Sequence, residues 1–162
     1  MDKAQTSSDG DYQPGVSLVI SAYNEAAVIK EKLDNASNLD YPQELLEVIV
    51  ISDASDDGTD EIVKSYTPRP ITLRTQTERQ GKTAGLTAHV PTVNHEIIVF
   101  TDANAIFDGQ AISKLVRHFT DTSVGYVVGQ QKYFPAAKGQ AGDSESLYWK
   151  YNPLLSAKVE KI

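Results

Sequence analysis

Short apolar runs alternate along this chain with stretches in which apolar residues recur every three or four positions. Residues 16–21, VSLVIS, are rich in β-branched side chains and follow Pro14 and Gly15, which predicts a buried first strand. Val28, Ile29, Leu33 and Ala36 then fall at helical spacing. Residues 39–44, with Tyr41 and Pro42, predict a connection, and residues 45–52 a second strand ending against Asp53. The segment DASDDGT, starting at Asp53, is dense in turn formers, and Ile62 and Val63 mark the inner face of a short helix over residues 60–66. Pro68 and Pro70 interrupt the chain before a third, less apolar strand at residues 71–75. A short helix is predicted over residues 83–89.

Residues 97–107, IIVFTDANAIF, hold the central place in this pattern. Ile97, Ile98, Val99 and Phe100 suit a strand buried on both faces, and they run straight into Thr101, Asp102, Ala103 and Asn104. Downstream, Ile112, Leu115, Val116 and Phe119 predict a helix. Residues 125–134, GYVVGQQKYF, predict another strand, and a loop rich in Gly, Ala and Lys follows as far as Asp143. From Ser144 onward, Leu147, Tyr148, Tyr151, Leu155, Val159 and Ile162 keep a helical period that Pro153 should kink or divide.

Strands alternating with helices, the strands nearly continuous in apolar residues, define an α/β fold: a mainly parallel, Rossmann-like sheet with helices on both faces. The loops after strands one, two and four then gather along one edge, where ligands bind in such sheets. Those loops carry Tyr23 and Glu25, Asp53 and Asp56, and Asp102 and Asn104. Carboxylates with an aromatic neighbour on that edge suit a metal-assisted nucleotide or phosphate pocket. Asp102 and Asn104, one residue apart, can hold a hard cation; a helix cap after the strand is the alternative reading of the same residues.

Composition narrows the partners. Lys and Arg total 15 against 22 Asp and Glu, a formal charge of -7 that argues against broad nucleic-acid binding, so an anionic ligand must be met by local positive groups. The absence of cysteine excludes a disulfide framework and a thiolate metal site and is compatible with a cytoplasmic setting. No apolar run approaches the ~20 residues of a membrane span. Residues 1–15 are expected to be a flexible polar tail and residues 16–162 one partial domain. The final KVEKI closes without a helix stop signal, as expected of a piece of a longer chain.

Several familiar motifs nearly match and fail. Gly81, Lys82 and Thr83 imitate the end of a P-loop, but the first glycine that motif requires is Gln76 here. Asp53, Ser55, Asp57 and Gly58 imitate half of a calcium loop whose closing Glu is replaced by Lys64. Asn35, Ala36 and Ser37 form a glycosylation sequon, read as a helix surface. No G-x-G-x-x-G follows the first strand, and no serine sits in a nucleophile elbow.

Four segments taken together, VSLVISAYNEA, VIVISDASDDGT, RQGKTAGL and FTDANAIFD, resemble the family 2 inverting glycosyltransferases of the GT-A fold in order and spacing. The resemblance implies transfer of a sugar from a nucleoside-diphosphate donor, such as a UDP-sugar, to a saccharide or lipid-linked acceptor, assisted by Mg or Mn. It places Ala22, Tyr23 and Glu25 at the nucleoside, Tyr23 by stacking, and Asp53 on a ring N–H of the base. Arg79 and Lys82 would lie near the base or the diphosphate, Asp102 at ribose and metal, and Asn104 on the metal. The chain departs from the family in having Asn104 at the second acid of D-x-D and Thr87 where an Asn often stands. The catalytic base of the family, in a later E-D motif, is absent, so it is expected beyond Ile162, as are segments that could bring the longer protein to the inner face of the cell membrane. Two other classes are compatible with the strand-end acids: a Mg-dependent receiver-like domain, whose lysine would have to follow a fifth parallel strand whereas Lys132 falls inside one, and a non-catalytic nucleotide-binding or scaffold module.

Overall fold

In the computed structural model, which describes residues 12–130 and 157–161, strand and helix alternate as the apolar pattern requires. The elements are β1 (Val16–Ala22), α1 (Ile29–Ser37), β2 (Leu46–Ser52), α2 (Thr59–Lys64), β3 (Thr72–Thr75), α3 (Lys82–His89), β4 (Ile97–Asp102), α4 (Ala111–Val116), β5 (Val124–Gly129) and β6 (Ala157–Lys161). The first four strands form one parallel sheet in the order β3-β2-β1-β4, with Val19 level with both Ile49 and Phe100. This is the order of the first four strands of a doubly wound dinucleotide-type sheet. A receiver-like sheet would set β1 beside β3, so the order excludes that alternative.

The two-residue period of β1 sorts its side chains between two cores. Val16, Leu18 and Ile20 pack with Ile29, Leu33 and Ala36 of α1, Val63 of α2, and Ile112 and Val116 of α4. Val19 turns the other way and packs with Ile49 and Ile51 against Leu86 of α3. Helices therefore cover both faces, as expected. Arg69, buried with only 6% of its surface exposed, donates to the carbonyls of Gln43 (3.2 Å) and Leu46, tying the entry of β2 to the chain before β3. Desolvation by burial depresses its pKa. The chain enters β1 through a held segment: the Tyr41 hydroxyl donates to the Pro14 carbonyl at 2.5 Å.

Two expectations are corrected. β4 is not buried on both faces: Ile97, Ile98 and Val99 are half-buried and Phe100 is 51% exposed. Among the described strands β4 has one neighbour, β1, and its open side borders a cavity of about 550 Å³ shared with β5. Residues 157–161 are not helical either. β6 runs antiparallel to β5, with Val127 level with Val159 and a bulge at Gly125, because pairing with a neighbouring strand outweighs a weak local helical period after Pro153. Residues 131–134 of the expected strand, residues 144–156 of the expected helix and residues 1–11 of the expected tail lie outside the described residues.

Candidate functional site

The sheet order reverses between β1 and β4, and the loops leaving those two strands flank the crevice that such a reversal opens. A cavity of about 370 Å³ sits there. Ala22, Tyr23 and Glu25 reach it from β1, Asp53 from β2, Lys82 from the start of α3, and Asp102 and Asn104 from β4. Sequence reasoning did not assign Ser21, Ile51, Gln76, Gly81 or Gly85 to the site, and all five line the cavity. A side chain at Gly85 would press within 3.0 Å of Ile51, so α3 packs closely on β2 beneath the cavity.

The β1 and β2 loops are joined by hydrogen bonds in both directions. The Asn24 side chain donates to Asp56 Oδ1 (2.9 Å) and accepts from the Asp56 N–H (3.0 Å). The Glu25 N–H donates to Thr59 Oγ1 and the Ala26 N–H to Asp57 Oδ2, each at 2.9 Å. Asn24 (φ +52°) and Ala54 (φ +57°) both occupy the left-handed region, which asparagine accepts readily and alanine does not. Asp56 serves this joint and does not line the cavity, in keeping with its turn reading.

Asp53 is 7% exposed and committed to its own chain. Its carboxylate accepts from the Gln80 N–H (2.8 Å), the Gly81 N–H (2.9 Å) and the Gln76 amide. These bonds fold residues 76–81 across the top of β2 and set Gly81, at φ +88°, just ahead of α3. Both oxygens are in use, so a base contact at Asp53 shares an oxygen already engaged by the loop.

Tyr23 and Arg79 meet face to face, the guanidinium carbon 4.0 Å from the ring centroid. Arg79 thus reaches the site through Tyr23 rather than by lining the cavity. Across the cavity Lys82 Nζ pairs with Asp102 Oδ1 at 2.5 Å. The Glu25 carboxyl is pushed above its ordinary pKa by partial burial, then by the neighbouring charges of Asp102 and Asp57. Among the described residues no group of three or more acidic, histidine or cysteine side chains could enclose a metal ion. Asp102, Asn104 and Glu25 nonetheless offer hard oxygens around one cavity. That donor set fits a divalent cation that completes its shell with substrate oxygens and water.

Behind the β4 loop the structure reveals two contributors from α1. Lys32 is fully buried, and Asn35, half-buried on α1, is paired through both ends of its amide with the backbone of Phe107. The signal for Lys32 was present: it falls on the apolar stripe made by Ile29, Leu33 and Ala36.

The sequence profile described as Glycosyl transferase family 2 matches residues 17–159. The chain belongs to that family. The Bacillus subtilis (strain 168) protein named Probable glycosyltransferase YdaM is 32% identical over 131 residues, which cover 77% of this chain and 31% of the relative. The Beta-monoglucosyldiacylglycerol synthase of Trichormus variabilis is 34% identical over 118 residues, or 70% of this chain and 25% of that enzyme. Among solved structures, the Pyrobaculum calidifontis mannosyltransferase PcManGT, in complex with GDP-Man and Mn2+, is 36% identical. It superposes with a TM-score of 0.68 over 75% of this chain and 36% of its own. The chain therefore spans roughly a third or less of these family 2 proteins and carries the family's GT-A fold across the sheet edge just described.

Proposed function

We propose that this chain is the donor-binding part of an inverting glycosyltransferase that moves a sugar from a nucleoside diphosphate to an acceptor hydroxyl. The observation that carries the reading is the convergence of Tyr23, Lys82, Asp102 and Asn104 on one cavity at the reversal of strand order. Tyr23 offers a ring face to the base, with Arg79 already on it. Lys82 offers an ammonium to the diphosphate, and Asp102 and Asn104 offer oxygens to Mg or Mn, with Glu25 opposite. A divalent cation, when bound, neutralises the charge that gathers on a departing diphosphate. The acceptor's proton goes to a catalytic base that the cavity residues named above do not supply, and the acceptor is a saccharide or a lipid-linked hydroxyl. The PcManGT complex supports a nucleotide-sugar donor with a divalent cation, and the Beta-monoglucosyldiacylglycerol synthase among the relatives supports a lipid acceptor.

The test is titration calorimetry of the chain with UDP and with GDP, each with and without Mn2+. Binding of one nucleotide that tightens with Mn2+ is expected. Absence of heat under all four conditions overturns the reading in favour of a scaffold that keeps only the fold.

A further inference from the structure

A fully buried lysine lies directly beneath the proposed metal loop. Lys32 Nζ donates to Thr101 Oγ1 at 3.1 Å and to the Ala105 carbonyl at 2.5 Å, and it stands 4.1 Å from the centroid of the Phe107 ring. The Thr101 hydroxyl in turn lies 3.3 Å from the Asp102 carbonyl. Three residues further along α1, Asn35 donates to the Phe107 carbonyl (2.8 Å) and accepts the Phe107 N–H (2.9 Å). Positions three apart share a helix face, so the two side chains grip opposite ends of one segment.

Burying an amine costs several kcal/mol in general unless each of its hydrogens finds an acceptor, so a buried lysine persists only where its contacts outweigh that cost. Its partners are a hydroxyl, a carbonyl and an aromatic face, none of them a carboxylate. Lys32 therefore does not serve as half of an ion pair. Its contacts begin one residue before Asp102 and resume one residue after Asn104.

We infer that Lys32 and Asn35 are positioning residues, a clasp on α1 that fixes the path of residues 101–107 and thereby the separation of the Asp102 and Asn104 oxygens. The ligand half of this inference rests on the donor-site reading; the clasp itself does not. A cation needs its oxygens at fixed separations, whereas stacking of a base on Tyr23 makes no use of the β4 loop. Loss of the clasp therefore removes the metal-dependent part of nucleotide binding and spares the rest.

The experiment pairs amide hydrogen exchange with calorimetry on the chain carrying Lys32→Met, which keeps the apolar stem, and separately Asn35→Ala. Exchange at residues 103–107 is expected to rise at least tenfold in both variants, with β2 unchanged. The gain in UDP or GDP affinity that Mn2+ confers is expected to fall at least fivefold in Lys32→Met, with metal-free affinity preserved. Wild-type exchange at residues 103–107 in both variants overturns the clasp, and so does exchange raised equally in β2, which marks a general core defect. A loosened loop with an intact Mn2+ effect overturns the link to metal. If the wild-type chain binds neither nucleotide, the donor-site reading falls, and the exchange pattern alone decides the clasp.

Discussion

Lys82 and Asp102 join α3 to β4 across the mouth of the cavity, with 50% and 57% of their side chains exposed. An ion pair so accessible to water contributes about 0–1 kcal/mol to folding, and its partners can be exchanged for ligand groups at little cost. Lys82→Met is therefore expected to leave the urea midpoint almost unchanged and to weaken Mn-dependent nucleotide binding about tenfold or more by calorimetry, as befits a charge-assisted contact. A large loss of stability with normal affinity would make Lys82 a structural residue.

Asn104 offers one neutral oxygen where a carboxylate would offer charge as well. Asn104→Asp is expected to tighten nucleotide binding severalfold at limiting Mn2+ and to leave metal-free binding alone. Equal affinity across a metal titration counts against Asn104 as a ligand.

Asp53 holds three donors from residues 76–81. Asp53→Asn replaces one accepting oxygen by a donor that faces another donor, which costs about 1–3 kcal/mol. Chemical denaturation should show that loss, and exchange at Gln80 and Gly81 should quicken. A variant as stable as the wild type would show that the carboxylate does not hold this loop.

Ala54 sits at φ +57°, where a Cβ is disfavoured by roughly 1 kcal/mol and glycine is not. Ala54→Gly is expected to raise stability by about 0.5–1 kcal/mol in urea titration. A destabilised variant would indicate that the left-handed conformation is not the one populated in solution.

Burial lowers the Lys32 pKa from 10.5 to about 7, the nearby Asp102 charge opposing the shift. Between those values the unfolded chain binds a proton that the folded chain does not, so the Lys32 contribution makes stability rise with pH across that window and level off below it. The difference in unfolding free energy between wild type and Lys32→Met should grow by up to about 1.4 kcal/mol per pH unit from pH 7 to 10. A difference independent of pH would show that Lys32 titrates as in water.

Much of this was legible because it rests on local pattern. β1 and β2 are long β-branched runs, and Asp53 and Asp102 stand at or just past strand ends where parallel pairing must gather them. What stayed hidden depends on neighbours distant in sequence. The exposure of Phe100 follows from which strand lies beside β4, the strand at residues 157–161 from the edge of β5, and the burial of Lys32 from acceptors some seventy residues away. Asp53 was placed correctly at the edge, but its engagement by Gln80 and Gly81 depends on a loop conformation that composition does not specify.

The hydrogen bonds that run both ways between Asn24 and Asp56, with Thr59 and Asp57 answering Glu25 and Ala26, make the β1 and β2 loops a single mechanical part. Neither can gain or lose a residue alone, since a shift in one strands donors in the other. The pair is therefore expected to tolerate substitution far more readily than any change of length.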